Sequence, residues 1–180
     1  ETYIEYAGKN QSLECFAEKS ANIYICKSMS KVYALSGLRT AYLCANPINI
    51  KELKKLTPPW AVSLPAQIAS TFALKEEEYY SKKYHETHLL RNQLISDLTT
   101  LGIHEIIPGI ANFIMFHLPS KKHSALDIVN KCRKKKLYLR DISEMGSTLN
   151  NNAIRMAVKN RNTNRKMIKI FRDCLKEITA

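Results

Sequence analysis

The stretch Lys27–Tyr42, KSMSKVYALSGLRTAY, joins two strand-like runs and holds the most informative side chains of the chain. Before it, Asn22–Lys27 (NIYICK) is apolar enough for burial on both faces, and after it Arg39–Ala45 (RTAYLCA) reads as a second strand. Between them stand Ser28, Ser30 and Lys31, with Arg39 eight residues beyond the lysine. A lysine at a buried strand end beside hydroxyls is not explained by packing. Burial disfavours the ammonium and lowers its pKa, as an amine that must attack an aldehyde requires. Two hydroxyls and a planar guanidinium suit a phosphate. An aldehyde-reactive lysine beside a phosphate cradle describes a pyridoxal 5'-phosphate pocket.

Working outward, Thr2–Tyr6 alternates aromatic and β-branched residues and predicts a strand. Asn46-Pro47 stops the run at Ala45, and Ile48–Leu56 predicts a short helix. Thr57-Pro58-Pro59 is a break, followed from Leu64 to Leu101 by helical pattern that is expected to divide within Lys75–Lys83. Further on, Ile103–Ile107 and Asn112–Leu118 read as strands around Pro108-Gly109. Ser124–Lys135 is an amphipathic helix with Ala125, Ile128, Val129 and Cys132 on its apolar stripe. Strands at Leu137–Arg140 and Ala153–Val158 flank the polar loop Ser143–Asn152. A last helix, Thr163–Ile178, buries Met167, Ile170, Phe171 and Cys174. The expected organisation is α/β over residues 1–80 and a compact α+β unit over 81–180, entered by a long helix.

The 180 residues carry 28 Lys+Arg against 16 Asp+Glu, a net +12. Residues 1–80 hold 9 basic and 8 acidic side chains, and residues 81–180 hold 19 and 8, so the charge is concentrated in the second part. No apolar run approaches the roughly 18–20 residues of a membrane span. The five cysteines (Cys15, Cys26, Cys44, Cys132, Cys174) show no metal spacing and read as free thiols in a reducing cytoplasm. His85, His88, His104, His117 and His123 share no catalytic spacing with a Ser or Cys and read as surface or core histidines.

Ser-x-x-Lys with Arg eight residues on, and Gly37 two before that Arg, resembles the signature of class I/II aminotransferases, the fold type I enzymes that use pyridoxal phosphate. Four further stretches resemble the family in the same order. These are Glu1-Thr2-Tyr3, Thr57–Val62 (TPPWAV) before a long helix, Gly109–Leu118 (GIANFIMFHL), and the pair Leu137–Asp141 (LYLRD) and Ile154–Val158 (IRMAV). Within the superfamily the chain is most similar to histidinol-phosphate aminotransferase and threonine-phosphate decarboxylase. Pro59–Val62 and Arg140–Ser143 lean toward the decarboxylase.

The resemblance implies the C-terminal part of a large, mainly parallel sheet domain plus a small α+β domain, and a homodimer with its pocket at the subunit interface. It implies that Lys31 forms the Schiff base, that Tyr3 bonds the cofactor's ring hydroxyl, and that Ser28, Ser30 and Arg39 hold its phosphate. Arg155 would pair with the substrate's carboxylate, and Arg140 with an acid group such as a phosphate. Ala41 stands where the family has Gly. The family's Asp for the pyridine nitrogen belongs immediately before Glu1, and no Met opens the chain. The expectation is therefore the C-terminal portion of an enzyme acting on an amino acid or phosphorylated amine, inactive as 180 residues alone. Two other classes compete. A basic nucleic-acid-binding module would use the positive second part, but no aromatic residues interleave the Arg133–Lys136 run, which suits a helix C-terminus. A non-catalytic dimerisation module would keep the fold without the Asp.

Overall fold

A computed structural model of the protein describes residues 1–119, 124–149 and 152–179; His123 and part of the loop Ser143–Asn152 lie outside the described residues. Contacts group the chain into two compact units, Glu1–Tyr84 and His85–Ala180.

The first unit departs from expectation at once. Thr2–Tyr6 does not form a strand. The backbone bends at Tyr3 and winds into a 3-10 turn, Ile4–Ala7, with the Tyr6 amide donating to the Tyr3 carbonyl at 3.1 Å. Alternation supplies an apolar face but no neighbour, and no strand pairs with this segment among the described residues. Helix α1 (Glu14–Lys19) follows, then strands β1 (Ile25–Ser28) and β2 (Ala41–Cys44). They pair antiparallel, with Lys27 opposite Tyr42 and Ser28 opposite Ala41. Helix α2 (Pro47–Leu56) is capped by Asn46, whose side chain accepts from the Ile48 amide at 3.0 Å. Helix α3 (Leu64–Lys75) starts on Ser63 and ends at Glu76, inside the expected break, before α4 (Glu77–Thr100) runs on into the second unit.

The second unit is an antiparallel sheet of β3 (Ile106–Ile107), β4 (Phe113–His117), β5 (Arg140–Asp141) and β6 (Ala153–Ala157), in the order β3-β4-β6-β5. Helix α5 (Ala125–Lys134) opens on a reciprocal capping box between Ser124 and Asp127. Helix α6 (Arg161–Thr179) opens where Asn160 accepts from the Thr163 amide at 2.9 Å. The predicted stripe of α5 is buried as expected, against Ile114, Phe116, Ile154 and Met156 of the sheet, Leu94 and Leu98 of α4, and Met167, Phe171 and Cys174 of α6. Phe116 and Phe171 meet edge to face with ring centroids 5.7 Å apart.

Every strand pair among the described residues is antiparallel. The period of two along β6 buries Ile154 and Met156 and turns Arg155 to the opposite face. No described helix is long and apolar enough to cross a membrane.

Candidate active site

The loop between β1 and β2 folds back on itself. Met29 N donates to Thr40 O at 3.2 Å and Leu35 N to Met29 O at 3.0 Å, continuing the ladder past Ser28 and Ala41. This closure carries Ser28, Ser30 and Lys31 to the same end of the hairpin as Arg39. The Ser30 amide donates to Ser28 Oγ at 3.3 Å, so the two serines stand together. Arg39 is held in the left-handed region, φ +51, and its Nη1 donates to the Ser36 carbonyl at 3.0 Å. A non-glycine residue there costs about 1–2 kcal/mol, and such strain concentrates at functional positions.

One expectation needs correction. Lys31 was expected at a buried strand end, but β1 stops at Ser28 and Lys31 falls three residues later, in a turn, with its side chain exposed. Ser28, at the end of β1, and Ser30 and Arg39, in the β1–β2 connection, stand with it ahead of β2. The buried lysine is Lys27, 3% exposed, which shares the inward face of β1 with Ile25.

Lys27 is surrounded by carboxylates. Its Nζ lies 2.9 Å from Glu5 Oε1, 3.3 Å from Glu14 Oε2 and 3.4 Å from Glu1 Oε2. Burial acts to lower the Lys27 pKa, but Glu5 and then Glu14 outweigh it and hold the ammonium above its ordinary value. Burial likewise acts to raise Glu1; the Leu13 amide, the Ser12 hydroxyl and Lys27 together hold it below the ordinary carboxylate value. Tyr42, opposite Lys27 on β2, donates to Glu14 Oε1 at 2.7 Å, and burial followed by Glu14 pushes its phenol upward. The cluster opens on a cavity of about 600 Å³ walled by Tyr33, Tyr42, Tyr80 and Tyr84. None of Tyr3, Ser28, Ser30, Lys31 or Arg39 lines that cavity. Tyr3 is partly exposed at the start of the 3-10 turn.

In the second unit, Arg140 and Arg155 face each other directly across β5 and β6. Arg155 is half-buried, with its guanidinium carbon 5.0 Å from the centre of the Phe113 ring. Neither arginine makes an ion pair among the described residues. Two unpaired guanidiniums opposite one another repel, and a bidentate anion would relieve that repulsion.

The sequence reading missed Lys27, its three glutamates and Phe113. The signal for Lys27 was present, since period two from Ile25 puts it on the inward face. No pattern in one sequence joins Glu1, Glu5 and Glu14 to it. No described group of His, Cys, Asp or Glu could hold a metal ion.

The model of the family described as Aminotransferase class I and II matches residues 1–171, and the chain belongs to that family. It is 27% identical over 175 residues to a histidinol-phosphate aminotransferase of Rhodopseudomonas palustris (strain BisB18), covering 95% of this chain and 47% of that protein. The chain spans about half the length of the curated relatives it matches.

Solved structures agree on the fold. The histidinol-phosphate aminotransferase from Clostridium acetobutylicum superposes with a TM-score of 0.86 at 21% identity, covering 98% of this chain and 53% of that one. The corresponding enzyme from Sinorhizobium meliloti, solved in complex with pyridoxal-5'-phosphate, gives 0.76 at 18% identity over 87% and 42%. The L-threonine-O-3-phosphate decarboxylase from Porphyromonas gingivalis gives 0.72 at 22% identity over 91% and 50%. The chain therefore has the fold of roughly half of a fold type I aminotransferase.

Proposed function

We propose that the protein is a pyridoxal-phosphate-dependent aminotransferase acting on a phosphorylated amine of the histidinol-phosphate kind. The observation that carries this reading is the closed turn from Ser28 to Arg39, which offers an amine, two hydroxyls and a guanidinium at one end of a hairpin. That donor set fits the cofactor's aldehyde and phosphate: Lys31 would hold the first covalently, and Ser28, Ser30 and Arg39 the second. Tyr3 would donate to the ring hydroxyl. When bound, the cofactor supplies an electron sink that weakens a bond at the substrate's α-carbon.

The chain's own residues do the rest. Arg155, with its plane supported by Phe113, binds the substrate's acid group together with Arg140 and so orients the α-carbon. Lys31 Nζ would serve as the base that takes the proton from that carbon and delivers it onward rather than back, as transamination requires. Exposure of Lys31 in a turn leaves its Nζ free to move between these roles. Large apolar side chains of the first unit stand in solvent, among them Trp60 at 91%, Leu56, Leu64 and Phe72. A surface of this kind supports a homodimer, and five free thiols accord with a reducing cytoplasm.

Decarboxylation of a threonine-phosphate-like substrate is the second reading, favoured by the fold shared with the Porphyromonas gingivalis enzyme. The two readings separate in one assay of the natively expressed protein with pyridoxal phosphate. An oxo product from histidinol phosphate and a 2-oxo acid supports transamination, and carbon dioxide from threonine phosphate supports decarboxylation. Turnover of neither substrate, nor of common amino acids, refutes both. The 180 residues alone are expected to be inactive, and turnover by them overturns that expectation.

A further inference from the structure

We propose that Lys27 is a positioning residue for the cofactor site: its buried ammonium fixes Tyr3 relative to Ser28. The inference rests on the proposed function, in which Tyr3 and Ser28 hold opposite ends of the same cofactor.

Tyr3 is bracketed by Glu1, two residues before it, and Glu5, two residues after it. Both carboxylates end on the one ammonium, at 3.4 and 2.9 Å. Ser28 is the next residue after Lys27 in β1, so a single side chain ties the two segments together. The bracket is reinforced on each side. Glu1 also accepts from the Leu13 amide at 2.9 Å and from Ser12 Oγ at 2.7 Å, and its own nitrogen donates to the Cys26 carbonyl at 2.9 Å. Glu14 is gripped by Lys27 and by Tyr42, which sit opposite each other across the hairpin.

The charge count makes Lys27 the indispensable member. Three carboxylates converge on one ammonium, and Glu5 Oε2 is buried with no hydrogen-bond partner. Removing the ammonium leaves three anions facing each other in a poorly solvated place. The Glu1–Glu14 segment, which pairs with no strand among the described residues, then loses its charged anchor on β1, and Tyr3, between Glu1 and Glu5, shifts with it.

The test compares the natively expressed wild type with K27M, K27R and the double variant E1Q/E5Q. Each is held at a temperature where circular dichroism shows it folded. The readouts are the pyridoxal phosphate concentration that half-saturates the absorbance of the lysine-bound cofactor, and hydrogen exchange of amides 1–14. Loss of a residue that orients a metal ligand from behind costs roughly 10–100-fold in metal affinity, and the same order is expected here for a residue that orients a cofactor-holding side chain. Half-saturation is therefore expected to rise by roughly that factor in K27M and in E1Q/E5Q. K27R, which keeps the charge, is expected to stay within about threefold of wild type, with amides 1–14 protected. E1Q/E5Q leaves Lys27 paired with Glu14, so it decides the matter if K27M does not fold.

A folded K27M or E1Q/E5Q protein that half-saturates at the wild-type concentration overturns the proposal, because a purely structural lysine changes stability and not cofactor affinity. A wild-type Lys31 that takes up no cofactor refutes the proposed function instead. The positioning claim is then decided by exchange: amides 1–8 still protected in K27M overturn it, and their loss with recovery in K27R upholds it.

Discussion

Replacing Arg140 by Gln should stabilise the second unit and weaken its hold on anions. Arg140 and Arg155 are register partners on β5 and β6, and neither has a carboxylate among the described residues. Like charges directly opposite cost roughly 0.2–1 kcal/mol relative to a neutral pair. Arg140 is exposed, so little packing is lost with it. For a unit of this size, ~1 kcal/mol moves the thermal midpoint by about 4–8 °C. R140Q should therefore melt roughly 1–8 °C above wild type without ligand, and the gain should shrink in concentrated salt as screening shortens the repulsion.

Phosphate should reverse the order. An anion at a hundred times its dissociation constant adds about 2.7 kcal/mol to the native state, more than the repulsion it relieves, and the variant loses most of that. The assay is calorimetry with and without phosphate, with exchange protection of the β6 amides locating the melting to this unit. An R140Q protein less stable than wild type in both conditions refutes the reasoning, because Arg140 would then hold the sheet together and not await a ligand.

Three other outcomes follow from the packing and the charges. F171A removes a fully buried ring that meets Phe116 edge to face, and should cost about 3–5 kcal/mol in chemical denaturation of the second unit. A loss below about 1 kcal/mol would mean that this core collapses around the gap. S124A breaks the reciprocal cap of α5 and should cost about 1 kcal/mol by the same measurement, whereas S124T, which keeps a hydroxyl at the cap, should lose much less. The first unit should lose stability at both pH extremes. Glu1 is depressed below 4.5, so its contribution is present above that value and is lost as pH falls through the lowered pKa. Lys27 is raised above 10.5, so its contribution is present below that value and is lost as pH rises through the raised pKa. Exchange of amides 1–14 that is unchanged in both windows, after correction for intrinsic rates, would contradict this.

Much of the second unit was legible because its elements carry their own signals. Ser124 announces α5, and Ala125, Ile128, Val129 and Cys132 recur at helical spacing. Arg155 between Ile154 and Met156 reads as an outward residue on a buried strand. The pairing of Arg155 with Arg140 was not legible, since register is decided by contacts distant in sequence.

In the first unit the same logic misled twice. Thr2–Tyr6 alternates like a strand but has no neighbour to pair with, so it bends into a 3-10 turn. Lys31 was expected to be buried, but the strand ends three residues earlier and the inward lysine is Lys27. The grouping of Ser28, Ser30, Lys31 and Arg39 does not depend on that burial, because it rests on the spacing of a short loop. The hairpin register then closes the loop with hydrogen bonds from Met29.

The most direct test of the central claim is covalent. The natively expressed protein, saturated with pyridoxal phosphate, is reduced with borohydride, digested, and its peptides are weighed. The account predicts a phosphopyridoxyl group on Lys31, with the neighbouring Lys27 unmodified because its ammonium is buried among Glu1, Glu5 and Glu14. Label spread over exposed lysines with no preference for Lys31, or concentrated on another lysine, would contradict it.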